Sequence, residues 1–161
     1  MNDRQKPILL CMREREEATM SLYRLIYKSE SATEVKWETV KDLLLTSQKN
    51  NAQLGITGLL LLSGRTFLQV IEGTADNVND LYTNIVPDLR HKHPVILNYA
   101  PIHERHFSEW TMKGVNTALL DPTLKGLLVK KYGQVDEEIA IPDDPFKAYS
   151  LLFDIYALSK V

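Results

Sequence analysis

"GITGLLLLSGRTFLQVIEG", residues 55–73, carries two apolar runs, 56–62 and 66–72, joined by "SGR". A glycine-bearing break of that length between two short runs is hairpin chemistry. Both runs are apolar at successive rather than alternate positions, so each strand is expected to be covered above and below. In the second run, period two sets Phe67, Gln69 and Ile71 on one face and Leu68 and Val70 on the other. Gln69 therefore has apolar neighbours whichever face it joins. Its carboxamide holds two donors and two acceptor lone pairs, and burial without partners costs about 1–3 kcal/mol.

Before the hairpin, "SLYRLIYKS" (21–29) alternates as a strand, with Tyr23, Leu25 and Tyr27 on one side and Arg24 and Lys28 on the other. "SATE" (31–34) fits a capping box, after which Val40, Leu43, Leu44, Ser47 and Asn51 share one face of a helix over about 35–51. That face begins apolar and turns polar. After the hairpin, "TADN" reads as a cap, and Val78, Leu81, Tyr82, Ile85, Val86 and Leu89 have helical spacing until Pro87 ends or kinks the helix. "DLRHKH" (88–93) is expected to close it. "VILNYAPIH" (95–103) and "WTMKGVN" (110–116) supply two further strands.

The order β-α-β-β-α-β with one added strand predicts an α+β, ferredoxin-like βαββαββ sheet with two helices on one face. The opposite face needs a cover, and the tail offers one. "DPTLKGLLVKKYG" (121–133) has an Asp cap, Pro at the first helical position and Gly at the stop, while "DDPFKAYSLLFDIY" (143–156) sets Phe146, Tyr149, Phe153 and Tyr156 on a stripe. "GQVDEEIAIPDDP" (133–145) reads as a surface loop. The expected organisation is a flexible leader at 1–20, a domain at 21–116 and a helical extension at 117–161.

The chain's 161 residues, 44% apolar and 25% charged, suit one globular unit. A net charge of -2 recommends neither nucleic acid nor an anionic membrane as partner. Cys11 is the only cysteine, which rules out an intramolecular disulfide and fits a cytoplasmic, reducing home. The apolar run "PILLCM" (7–12) is too short for a membrane span. All four histidines fall between 91 and 106, as H-x-H and "HERH", so a metal site has to be weighed, although the two spacings suit different local structures. No nucleophile elbow, phosphate loop or dinucleotide fingerprint is present.

Three polar groups gather on this framework: Tyr27, the helix end with Ser47, Asn50 and Asn51, and Gln69. Each has an ordinary explanation alone, as a core tyrosine, a helix cap and a glutamine bonded to a neighbouring hydroxyl. Together they border a cleft between two helices on a sheet, suited to a flat ligand that forms hydrogen bonds.

The stretches "SLYRLIYKS", "SQKNNAQLGITGLLL", "TFLQVIEG", "LYTNIVPDLRHKH" and "PIHERHFSEWTM" resemble, in order and spacing, the BLUF domains, sensors of blue light using flavin, over about residues 21–116. The tail is similar to that of the short cyanobacterial PixD-type members. The resemblance implies FAD, with FMN or riboflavin as substitutes, lying between the two helices. It implies that Tyr27 is the photoactive tyrosine and Gln69 the glutamine that bridges it to the flavin. Asn51 would bond the pyrimidine edge, with Asn50 and Ser47 nearby and Leu43 and Ile85 sandwiching the ring. Asp88, Arg90 and His91 would contact the ribityl chain and ring periphery. Trp110 and Met112 match the W-x-M strand linked to signalling. Asn84 stands where many relatives carry a basic residue, so charge assistance to the flavin is lost there.

The function so implied is a blue-light photoreceptor and not an enzyme. Its signal would be a hydrogen-bond rearrangement among Tyr27, Gln69 and the flavin, read out by a separate signalling protein or by homo-oligomerisation. A flavin-dependent redox enzyme and a ferredoxin-like metal- or partner-binding protein are the competing expectations.

Overall fold

Residues 21–159 are described by a computed structural model. The leader expected at 1–20, with Cys11 and the run at 7–12, lies outside the described residues. The hairpin forms as its sequence asks. β2 (Thr57–Ser63) and β3 (Thr66–Thr74) pair antiparallel, and Ser63 faces Thr66 across a turn made by Gly64 and Arg65. Gly64 has φ 59°, the left-handed region where a residue without Cβ is favoured.

β1 (Leu22–Ser31) joins β3 antiparallel, which sets Tyr27 directly opposite Gln69. β4 (His91–Ile102) pairs with the far side of β1, and β5 (Thr111–Asn116) runs parallel to β2. The strand order is β4-β1-β3-β2-β5, the ferredoxin-like arrangement with one added edge strand. Both faces are covered, as the unbroken apolar runs require. On one face, Leu25, Tyr27, Leu60 and Ile71 meet Val40 and Leu44 of α1 (Trp37–Gln53) and Val78 of α2 (Ala75–Ile85). On the other, Ile26, Leu59, Leu61, Leu68 and Val70 meet Leu128 of α3 (Pro122–Tyr132) and Ala148, Leu151, Leu152 and Ile155 of α4 (Pro145–Leu158).

The position of α1 follows from the absence of a side chain at Gly114. A Cβ there would lie 2.3 Å from Leu44 Cδ1 and 3.0 Å from the Trp37 ring, so any larger residue would require Leu44 to shift before the helix could settle on β5. At the C-terminal helices the caps act as their sequences predict. Asp121 accepts from Thr123 and Leu124 N–H at 3.0 and 3.2 Å, and Asp144 accepts from Lys147 N–H at 2.9 Å. Each such cap contributes about 1 kcal/mol.

Four local expectations need correction. "SATE" is no capping box: β1 continues through Ser31, which pairs with His91, and α1 starts at Trp37 without a side-chain cap. Sheet pairing outweighs the local helix signal. "DLRHKH" does not close α2, because that helix stops at Ile85, Pro87 follows, and β4 has begun by His91. Val86 and Leu89 are consequently exposed. The stretch 133–145 contains a small hairpin, β6 (Gln134–Val135) with β7 (Glu138–Ile139). On α4 the buried line is Ala148, Leu151, Leu152, Ile155 and Tyr156, while Phe146 is 77% exposed. That helix is apolar on most of its circumference, and the periodic aromatic row flanks the side that docks.

Candidate functional site

Between α1 and α2 lies a cleft of about 220 Å³, floored by β1 and β3. The floor carries Tyr27 and Gln69, 3% and 6% exposed. Their cross-strand pairing brings Tyr27 Oη to 2.5 Å from Gln69 Oε1, so the phenol donates and the amide oxygen accepts. On its other side the Gln69 Nε2 lies 3.2 Å from Met112 Sδ, a weak acceptor that suits an N–H donor. These are the partners that the buried glutamine needs. Burial pushes the Tyr27 phenol well above its ordinary range, with further contributions from Tyr82 and Asp88. The edge-to-face Tyr82 ring sits 5.3 Å away, centroid to centroid.

α1 lines one wall with Leu43, Leu44, Ser47 and Asn51, and α2 lines the other with Leu81, Asn84 and Ile85. Ser47 donates to Leu43 C=O at 2.8 Å, which leaves its oxygen lone pairs for a ligand. Asn51 is 4% exposed and its backbone C=O accepts from Ile56 N–H at 2.8 Å. No hydrogen bond to its side-chain amide is found among the described residues. Asn50, expected in the same pocket, is exposed one position round the helix and lines no part of the cleft.

At the mouth, Asp88 and Arg90 bind each other. Arg90 Nε donates to both carboxylate oxygens at 2.8 and 3.0 Å, its terminal nitrogen adds an ion pair, and its backbone N–H donates at 2.9 Å. The Arg90 hydrogen bonds are the main reason that the Asp88 carboxyl falls to about 2, against the opposing effect of partial burial. His91 Nε2 lies 2.8 Å from Ile85 O and Nδ1 2.8 Å from Ser29 Oγ. Because a carbonyl only accepts, the proton belongs on Nε2; in the neutral ring Ser29 then donates to Nδ1. Both nitrogens hold α2, β1 and β4 together.

Trp110 and Met112 part company. Period two would put them on one face, but Met112 has φ 139° and the β2–β5 register shifts beside it, between Gly58 and Leu59. Met112 thus points into the cleft, while Trp110 packs 4.6 Å from the Tyr156 ring of α4. Gln48, which periodicity did not single out, donates from Nε2 to Met112 C=O at 3.3 Å. Ser29, Leu60 and Phe67 also line the floor; strand alternation placed Phe67 beside Gln69 but gave Ser29 no distinguishing signal. Among the described residues no three of His, Cys, Asp and Glu gather as a metal ion would require.

The cleft fits a flavin on its own chemistry. Leu43 and Ile85 offer apolar surfaces to a flat ring, and the Asn51 carboxamide, which lines the cleft and bonds no other described residue, offers a ligand edge both donors and an acceptor.

The comparisons agree. Residues 22–113 match the family model BLUF, described as sensors of blue-light using FAD. The photoactivated adenylate cyclase subunit alpha of Euglena gracilis is 33% identical over 117 residues, which is 70% of this chain and 12% of that protein. The blue light- and temperature-regulated antirepressor BluF of Escherichia coli (strain K12) is 33% identical over 82 residues, 50% of this chain and 20% of that protein. This chain therefore spans only a small part of the curated relatives it matches. The structure of Klebsiella pneumoniae BlrP1 with FMN and cyclic diGMP superposes with a TM-score of 0.62 at 28% identity, covering 84% of this chain and 34% of that one. The dark-state BLUF protein BlrB shares the fold, with a TM-score of 0.65 at 24% identity, covering 89% and 99%. By this match and by the ferredoxin-like fold that carries it, the chain belongs to the BLUF family of blue-light sensors.

Proposed function

We propose that this chain is a blue-light photoreceptor that binds FAD between α1 and α2 and reports light through the Tyr27–Gln69–Met112 contacts. The hydrogen bond of 2.5 Å from Tyr27 to Gln69 carries the reading. Bound FAD would supply the light-absorbing, electron-accepting ring. Leu43 and Ile85 would sandwich it, Asn51 and Ser47 would meet its polar edge, and Asn84, Asp88 and Arg90 would face its rim. His91 would act from behind by holding Ser29 and the end of α2. FMN, present in the BlrP1 structure, would substitute for FAD, because the residues named address the ring and its rim rather than the adenine.

A buried phenol with its pKa raised does not ionise by itself at neutral pH. Its proton leaves when the phenol ring loses an electron to the bound flavin; Gln69 Oε1 is the acceptor in place, and electron and proton would both return to Tyr27 before the new state is reached. The amide can then turn, because its two ends are similar in shape but opposite in hydrogen-bonding sense. Turned, Nε2 donates to Tyr27 Oη and Oε1 faces Met112 Sδ, an acceptor facing an acceptor. Met112 is thereby pushed from the position it holds in the structure, at the start of β5.

BLUF domains are sensor modules, and we assign this chain no catalysis of its own. Output would pass through a separate signalling protein or through homo-oligomerisation, with residues 21–116 as the sensor and 117–161 as the extension that carries the change. Among the described residues no helix is long and apolar enough to cross a membrane, and a cytoplasmic setting suits the reading.

The test is a light-minus-dark spectrum of the full chain with FAD. Wild type should be yellow and shift reversibly to the red. Tyr27→Phe and Gln69→Leu should each keep the colour and lose the shift. A preparation that stays colourless with added FAD would overturn the cofactor, and a normal photocycle in either variant would overturn the assigned roles.

A further inference from the structure

The cleft uses one face of β3; the other face carries Glu72, which is fully buried, three residues beyond Gln69. Its Oε1 accepts from Arg24 Nε at 2.8 Å. His106 N–H reaches both of its carboxylate oxygens, at 3.1 and 3.0 Å, and Phe107 N–H reaches Oε2 at 3.1 Å. The neighbouring Arg105 donates to Thr57 Oγ1 and Glu72 C=O, each at 2.9 Å, and to Gly55 C=O at 2.6 Å. Three successive residues between β4 and β5 are thus fastened to the β2–β3 hairpin. One guanidinium nitrogen of Arg24 is buried without a partner, so the arrangement is not the most stabilising one for this ion pair.

α4 rests on this loop through polar contacts of Tyr149 and Tyr156, and the Phe107 ring between them packs edge-on against both, 6.1 and 5.2 Å centroid to centroid. Tyr149 Oη lies 2.6 Å from His106 Nδ1, and its ring is 5.0 Å from Arg24 Cζ, at the fastened part. Tyr156 accepts from Glu109 N–H at 3.3 Å and packs on Trp110, beyond the fastened part and close to the left-handed Met112. We infer that Glu72 is a positioning residue of the switch: it fixes residues 105–107, so displacement at Met112 is delivered through Trp110 to the Tyr156 half of α4 instead of being absorbed in the loop. The inference rests on the photoreceptor reading.

Hydrogen exchange of the full chain with FAD, in darkness and under blue light, tests it with Glu72→Gln. Glutamine keeps the shape but retains a single acceptor oxygen. Exchange at His106 and Phe107 should rise about tenfold or more in darkness, since hydrogen bonds to a charged acceptor are lost. The red shift should persist, while the light-induced exchange change at 153–158 falls several-fold and moves to 103–109. Should the variant fail to fold, Arg105→Gln loosens the same loop without unpairing a buried ion: the 106 and 107 amides keep their carboxylate, and the light-induced exchange change should still fall at 153–158 and move to 103–109. An unaltered light response at 153–158 despite exposed 106–107 amides overturns the anchor, as does a wild type that shifts to the red with no change in α4. A wild type with no red shift breaks the photoreceptor reading itself, and the anchor's role with it.

Discussion

The two faces of the five-stranded sheet are built from the same strands and differ in how they are closed. On the α3/α4 face, Leu68, Val70, Leu151 and Leu152 are all 0% exposed. Opposite, α1 packs on β5 over Gly114, and α2 packs on β1 and β3, with Val78 fully buried. Helices anchored at separate places leave a slot, into which buried polar groups face and beside which Leu43 remains 38% exposed. One face therefore holds the fold and the other has given up closure for a ligand. The sharpest way to break this comparison is to truncate a leucine on each side. Leu151→Ala should cost about 2–5 kcal/mol in urea unfolding of the flavin-free chain. Leu43→Ala should cost well under 1 kcal/mol, as a half-exposed side chain removes little surface from water, yet weaken flavin markedly. Equal stability losses would refute the division.

The cleft face can also be strengthened for its ligand without touching the fold. Asn84 lines the slot from the exposed side of α2. A guanidinium reaching a flavin carbonyl adds charge to the hydrogen bond, worth about 1.4 kcal/mol, or tenfold in affinity. Asn84→Arg should therefore tighten flavin about tenfold by fluorescence titration and move stability by no more than about 0.5 kcal/mol. An unchanged affinity would remove Asn84 from the ring edge.

The difference between the faces also governs what could be read from sequence. Alternation placed Phe67 and Gln69 on one side and Leu68 and Val70 on the other, and the structure divides them in the same way. The same alternation puts Glu72 with Leu68 and Val70, a carboxylate among core residues, and that signal is as legible as Gln69's. Tyr27 and Gln69 were brought together by their family's pattern, because strand register depends on pairing and not on either strand alone. Asn50 was expected in the pocket from the resemblance and not from periodicity: it and Asn51 differ by about 100° around the helix, enough to separate a cleft residue from a solvent residue. The split of Trp110 from Met112 arises from one left-handed residue beside a register shift, which no periodicity encodes.

An effect seen only at high pH comes from the proton at the centre of the cleft. Tyr27 is buried to 3% exposure, and its phenol is raised well above its ordinary value of 10. Below pH 10 folded and unfolded chains both hold this proton, and its contribution to stability is fully present. From pH 10 upward the unfolded chain releases the proton that the native chain retains, so stability falls with rising pH by up to about 1.4 kcal/mol per unit for one proton. Tyr82, Tyr132 and Tyr149 are raised as well, so wild type alone cannot assign the slope. Tyr27→Phe removes one phenol and leaves the other three. The difference between the two unfolding profiles should be flat to about pH 10 and then decline as the wild type loses its advantage. Parallel profiles through pH 11 would mean that the Tyr27 proton is no more tightly held than that of a free phenol, and would leave the direct path to Gln69 Oε1 without the property that makes it useful.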